Sequence, residues 1–190
     1  MLDISKRSLL QATALMGEVV AAARGSRPSH GLINPRLVIE EVFAFARETF
    51  PEVISVEMEI EEEPGFVAAS SAELHRALVN LCVNARDAMP AGGRLALRIG
   101  GGTGQFCDGA GRGEDSAHCV IIEVSDTGSG IPAHILEKIF DPFFTTKGPG
   151  KGSGLGLASV KNFVESHGGC LSLQTEMGKG TTFRIFLPIV

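Results

Sequence analysis

Between Asp141 and Leu157 the chain reads Asp-Pro-Phe-Phe-Thr-Thr-Lys-Gly-Pro-Gly-Lys-Gly-Ser-Gly-Leu-Gly-Leu, with five glycines, two lysines and two threonines. Glycine at every second position from 148 to 156 disfavours a regular helix or strand there. It also lets backbone N–H groups turn toward an anion with no Cβ in the way. Apolar periodicity then predicts a helix from Ser153 to Ser166, with Leu155, Leu157, Val160, Phe163 and Val164 inward. A helix N-terminus adds partial positive charge at the same point. The stretch therefore reads as a phosphate site; the plain alternative is a flexible surface loop before a helix. It is not a P-loop, because no Gly-Lys-Ser/Thr follows four spacer residues after a glycine. A metal site and a base pocket must come from elsewhere in the chain.

A second constraint is a polar stripe on an apolar helix. Ser70 or Ser71 caps a helix running to Met89, with Leu74, Leu78, Leu81, Ala85 and Ala88 as its core face. At about 100° per residue, Asn80, Asn84 and Asp87 fall together, roughly 110° from the centre of that face. Asparagine is costly to bury without partners. Either both amides cap neighbouring loops, or their oxygens face a Mg²⁺ and the phosphates it carries. Magnesium takes hard oxygen ligands and often only one or two from protein.

A third element lies after a strand expected over 119–124, in Ser125-Asp-Thr-Gly-Ser-Gly-Ile-Pro132. A carboxylate at a strand end accepts a hydrogen bond from an exocyclic amine such as that of adenine. Gly128 and Gly130 would let a flat ring approach the backbone. Taken alone, Asp-x-Gly-x-Gly is common in turns.

The remaining chain supplies a scaffold. Asn34 and Pro35 open a helix carried by Leu37, Val38, Val42, Phe45 and Ala46 to about Thr49, with Glu41 as its polar exception. Strands are expected over 53–60, 66–69, 94–99, 170–175 and 182–188, and a short helix over 133–140. Residues 100–118, with seven glycines, read as a long hairpin loop. Residues 4–23 read as a helix whose broad apolar stripe calls for a partner helix.

The 17 basic and 22 acidic residues give a net charge of −5, which argues against nucleic acid as partner. No apolar run approaches the roughly 20 residues that span a membrane, so no direct membrane contact is expected. The first residues do not lead into a signal-peptide core. Cys82, Cys107, Cys119 and Cys170 show no metal or redox spacing and read as reduced thiols of a cytoplasmic protein.

Five elements thus stand in order: Asn80-Leu-Cys-Val-Asn84-Ala-Arg-Asp-Ala88, Asp126-Thr-Gly-Ser-Gly130, Phe140-Asp-Pro-Phe-Phe144, Gly152-Ser-Gly-Leu-Gly156 and Gly178-Lys-Gly-Thr-Thr-Phe183. Together they resemble the catalytic ATP-binding domain of sensor histidine kinases, in the ATPase superfamily of gyrase, Hsp90 and MutL. The likeness covers about 33–190. It implies a two-layer α/β sandwich of Bergerat type: a mixed, mostly antiparallel sheet under three helices, with the N-terminal helix in addition. The segment 141–153 would be a lid over ATP.

Carried over by the resemblance, Asn84 matches the Mg²⁺ ligand and Asn80 a polar wall of the phosphate site. Asp126 matches the adenine-recognising carboxylate, with Gly128 and Gly130 beside the ring and Thr182 as the nearby hydroxyl. Phe140, Phe143 and Phe144 match the lid's aromatic box. Gly152, Gly154, Leu155 and Gly156 fall in the triphosphate-facing turn. Asp87, also on the nucleotide side, stands where many of these kinases carry Lys or Arg, and Arg86 lies about 100° round the helix from it. Lys147 and Lys151 are candidates for the γ-phosphate on charge and position.

The function implied is transfer of the γ-phosphate of Mg-ATP to a histidine on a dimerisation and phosphoacceptor helix, followed by a response regulator receiver domain. None of His30, His75, His118, His134 and His167 precedes an acidic residue, as the acceptor in these kinases does. Residues 1–32 are therefore read as part of the dimerisation hairpin plus linker, without its acceptor. The histidine would come from another segment or chain, and the chain alone should not label itself. Hydrolysing members of the superfamily carry Glu four residues before the metal-binding Asn, where this chain has Asn80. That favours transfer over hydrolysis. An ATP-sensing interaction module and an anti-sigma-type serine kinase are the alternatives.

Overall fold

The computed structural model describes residues 31–61, 64–104, 117–148 and 152–190. The expected helix over 4–23, with the 1–32 segment it belongs to apart from its last two residues, lies outside the described residues, as do Cys107 and Lys151.

Strand β1 is Gly31–Ile33 and pairs antiparallel with β3, Val67–Ala69. Between them run helix α1, Pro35–Thr49, and strand β2, Ile54–Ile60. Asn34 caps α1 by accepting the Arg36 N–H at 3.0 Å, and Pro35 fills the first turn, where its missing N–H costs nothing. Val38, Ile39, Val42 and Ala46 are its buried stripe. Leu37, expected inward, is 58% exposed. It lies about 150° from the centre of that stripe, so the helix cannot bury both.

Helix α2, Ser71–Ala88, is capped by Ser70 Oγ, which accepts the Glu73 N–H at 3.4 Å. It buries Leu74, Ala77, Leu78, Leu81, Cys82 and Ala85. Strands β4, Gly93–Gly104, and β5, Ala117–Asp126, follow as an antiparallel pair. The glycines at 100–104 therefore extend β4 instead of forming loop. Lacking Cβ atoms, Gly100 and Gly102 leave room for the side chains of Glu61 and Ile121. In place of the short helix expected over 133–140 there is one 3₁₀ turn, Ala133–Ile135.

Helix α3 spans Gly156–Ser166, three residues shorter than expected, because Gly154 at φ +69° cannot sit in a right-handed helix. Strands β6, Cys170–Glu176, and β7, Gly180–Pro188, close the chain as a hairpin.

The main sheet has the order β2-β4-β5-β7-β6, with β2 and β4 parallel and every other pair antiparallel. Alternation along each strand sends Leu95, Leu97, Val120, Ile122, Val124, Phe183, Ile185 and Leu187 to one face. There they pack with Val42, Leu78, Leu81 and Val160 of the three helices, forming a two-layer core. The opposite face carries a row of charges. Arg94 reaches Glu57, Arg98 bridges Glu59 and Glu123 at 2.8 and 3.1 Å, and Arg184 bonds Glu123 and Gln174 at 2.7 and 2.8 Å.

Candidate nucleotide site

The polar stripe of α2 lies at the edge of the helix layer. Asn80 Nδ2 donates to the carbonyl of Gly156 at 3.4 Å, so this amide ties α2 to the first residue of α3. That bond uses the Asn80 amide nitrogen and leaves its Oδ1 open to either reading of the asparagines. Asn84 Oδ1 accepts from Lys147 Nζ at 3.2 Å, and the same ammonium reaches Asp87 Oδ2 at 2.6 Å. Asn84 and Asp87 are one turn apart, which is why a single cation touches both.

The other oxygen of Asp87 accepts from Arg86 Nε and Nη2 at 3.0 and 2.7 Å. The Arg86 guanidinium also lies 5.4 Å over the Phe50 ring. Arg86 is thus committed to Asp87 and Phe50, and the basic group beside Asn84 comes from the 141–148 segment. Burial by itself pushes the Asp87 carboxyl up. Hydrogen bonds from Lys147 and then Arg86, with their charges, outweigh it and hold the group below the usual carboxylate range.

Asp126 closes β5 on the face that carries the core, and is buried. It accepts the Gly128 N–H at 2.8 Å and a backbone hydrogen bond from Thr181. Burial pushes its carboxyl up, and those two bonds only partly offset the shift. Register decides which threonine accompanies it. Asp126 pairs with Thr181 and Ser125 with Thr182. Thr181 is buried beside Asp126, whereas the Thr182 hydroxyl bonds Ser125 Oγ at 2.8 Å on the opposite face of the sheet. The hydroxyl that accompanies Asp126 is therefore Thr181, not Thr182 as expected. Counting back by twos from Leu187, Ile185 and Phe183 leads to Thr181, so the signal was in the alternation.

Gly128 and Gly130 are required by packing. A Cβ on Gly128 would strike the Ala88 carbonyl at the end of α2, and one on Gly130, at φ +71°, would strike the Glu176 carbonyl. They hold the Asp126 turn between α2 and the β6–β7 hairpin.

The three phenylalanines diverge. Phe140 packs on the core with Lys161 Nζ 5.8 Å from its ring centroid. Phe143 is 74% exposed, and Phe144 is half-buried. Phe143 takes φ +68°, uncommon for a side chain of this size. Its N–H donates to the Gly154 carbonyl at 3.0 Å, and a Cβ on Gly154 would overlap the Phe143 backbone. Further along, Gly152 lies against Thr145 and Lys147, and Thr145 Oγ1 accepts the Lys147 N–H at 3.1 Å. The two sides of the glycine-rich segment thus fold onto each other and aim Lys147 at α2. Leu155 occupies the N-cap position of α3, its N–H donating to Ser153 Oγ at 3.3 Å.

A divalent cation fits this donor set. Asn84 Oδ1 and Asp87 Oδ2 are both hard oxygens, and both already hold a positive charge, the Lys147 ammonium. Among the described residues no three His, Cys, Asp or Glu side chains gather into a cluster. One or two protein oxygens is what magnesium takes when phosphates complete its shell.

Comparisons with known proteins identify the family. The family model described as histidine kinase-, DNA gyrase B- and HSP90-like ATPase matches residues 69–190. Sensor kinase CckA of Brucella abortus (strain 2308) is 39% identical over 96% of this chain, which covers 20% of that protein. Sensor histidine kinase ZraS of Escherichia coli (strain K12) is 39% identical over 65% of this chain and 23% of that protein. The chain thus spans about a fifth of the length of these curated relatives. Among solved structures, a mycobacterial sensor histidine kinase, MprB, superposes with a TM-score of 0.66 at 29% identity, covering 84% of this chain and 97% of that one. The catalytic domain of histidine kinase ThkA gives 0.66 at 27% identity, over 83% and 96%. On the match across 69–190, with the Asn80–Ala88 and Asp126–Gly130 elements inside it, the chain belongs to the histidine kinase-, DNA gyrase B- and HSP90-like ATPase family.

Proposed function

We propose that this chain is the ATP-binding catalytic part of a cytoplasmic sensor histidine kinase assembly. Residues 33–190 are its catalytic domain, and 1–32 a piece of the dimerisation hairpin with its linker. Asp126 would accept from the adenine amine, with Thr181 beside it. Asn84, with Asp87 one turn on, would hold a Mg²⁺, which when bound supplies charge neutralisation for the phosphates. The backbone of 152–156 and the start of α3 would face the triphosphate. An incoming imidazole nitrogen would form a bond to the γ-phosphorus as the bond to the β–γ bridging oxygen breaks. ADP then leaves and the imidazole proton passes to solvent. The chain's part is to position and neutralise.

The observation that carries transfer over hydrolysis is Asn80. Its amide donates to Gly156, and an amide cannot take a proton from water at neutral pH. Glu73, the acidic residue on the first turn of α2, sits near His167 instead, its Oε2 3.9 Å from His167 Nε2. No described helix is long and apolar enough to cross a membrane.

The test supplies γ-labelled ATP and Mg²⁺ to the chain alone, and to the chain with a separate phosphoacceptor-helix domain. Acid-labile label on the acceptor, none on the chain alone and little free phosphate are expected. Label on the chain alone, or steady hydrolysis without an acceptor, would refute the reading.

A further inference from the structure

Lys147 bonds the same oxygen of Asn84 that the proposed function gives to a metal, and a ligand-shell carboxylate beside it. Magnesium sits about 2.1 Å from its oxygens. An ammonium 3.2 Å from one of them cannot stay while a second, doubly charged cation takes that position. Arg86 cannot replace it, because the other oxygen of Asp87 and the Phe50 ring hold its guanidinium. Lys147 is itself presented by a folded segment, through Thr145 Oγ1 and the close approach of Gly152.

We propose that the Lys147 ammonium is a resident stand-in for the divalent cation, held on Asn84 and Asp87 until the metal–nucleotide enters and then released to the terminal phosphate. Asp87 is the positioning residue of this exchange. The proposal rests on the nucleotide reading above and goes beyond it in giving Asp87 and Lys147 a joint role. It also makes the lysine sensitive to phosphate number. A nucleoside triphosphate offers the released ammonium a third phosphate; a diphosphate does not. After transfer Lys147 has no anion to hold except Asp87, and its return competes with the metal and favours loss of the diphosphate.

Lysine acylation by a water-soluble succinimidyl ester, read by mass spectrometry on the full chain, tests this, with Lys161 and Lys179 as internal references. Without ligand, Lys147 should react more slowly than Lys179. Asp87→Asn should raise the Lys147 rate about threefold to fivefold, the range of a partly exposed ion pair. In the wild type, Mg²⁺ with ADP should raise it similarly, and Mg²⁺ with a non-hydrolysable ATP analogue should lower it again. Calorimetry on Lys147→Met, which keeps the Asn84 and Asp87 side chains themselves, should show Mg²⁺-ADP binding tightened and Mg²⁺-ATP binding weakened. Equal Lys147 rates in wild type and Asp87→Asn, protection that persists with Mg²⁺-ADP, or both nucleotides weakened alike would overturn the exchange while leaving the proposed function intact. A wild type that takes up no nucleotide would overturn both.

Discussion

Replacing Asp126 by Asn separates recognition from folding, because the two demand different things of this carboxylate. Asp126 is buried and accepts the Gly128 and Thr181 N–H groups. An asparagine oxygen can keep the Gly128 bond, which runs to one carboxylate oxygen. The new NH₂ would replace the second carboxylate oxygen and face the adenine amine donor to donor. A hydrogen bond to a charged acceptor is worth about 1.5–3 kcal/mol. At about 1.4 kcal/mol per decade, ADP affinity should therefore fall roughly 10- to 150-fold. Stability should move the other way. Burial raises this carboxyl's pKa, so its ionised form costs the fold more than it costs the unfolded chain. A neutral amide removes that cost, and the melting temperature at pH 7 should hold or rise. Calorimetry with ADP and a thermal melt on the same sample read both quantities. An affinity loss under about threefold would refute the adenine assignment. A melting temperature lowered by more than about 4 °C, which is about 1 kcal/mol or more for a domain of this size, would make the role structural instead.

Three further outcomes follow from the same geometry. Carboxyl-carbon NMR titration should place Asp87 below and Asp126 above the ordinary aspartate midpoint of about 3.9; the reverse order would contradict the contacts described. By linkage, Asp87 contributes stability above its unfolded pKa and loses it as pH falls through its lowered folded value. Asp126 contributes stability below its unfolded pKa and loses it as pH rises through its raised one. Gly154→Ala forces a Cβ onto the Phe143 backbone at a positive φ and should cost about 1–3 kcal/mol; a denaturant melt matching wild type would show that the segment relaxes freely. Cys82, its thiol pushed by burial up to about 12, should resist iodoacetamide at pH 8 in the folded chain and react on unfolding; equal rates in both states would contradict its burial.

Elements governed by local chemistry were legible in the sequence. The Asn34–Pro35 start of α1 and the Ser70 cap of α2 are set by side chains two or three residues from the N–H groups they serve. The helical angle that grouped Asn84 with Asp87 likewise needs nothing beyond α2 itself. Non-local facts were harder to read. Gly100–Gly104 look like loop until β5 is laid beside them, since pairing, not propensity, makes that segment a strand. Thr182 and Thr181 are adjacent letters on opposite faces, and only the register against Asp126 separates them. The apolar pattern runs on through Leu155 and so points to an earlier start for α3 than the backbone at Gly154 allows. No pattern in the sequence joins Lys147 to Asp87, 60 residues apart. That pairing follows from the glycines that let the segment fold back.

The row of charges from Glu59 through Arg98 and Glu123 to Arg184 gives this molecule a front and a back. Stacking a second sheet there would need apolar side chains interdigitating across about 10 Å, and this row would first have to be stripped of water. Its hydrogen bonds run along the sheet, between side chains of neighbouring strands. The glycine-rich segment and Asn84 lie on the other, helical side, so the charged row and the candidate nucleotide site occupy opposite layers of the molecule.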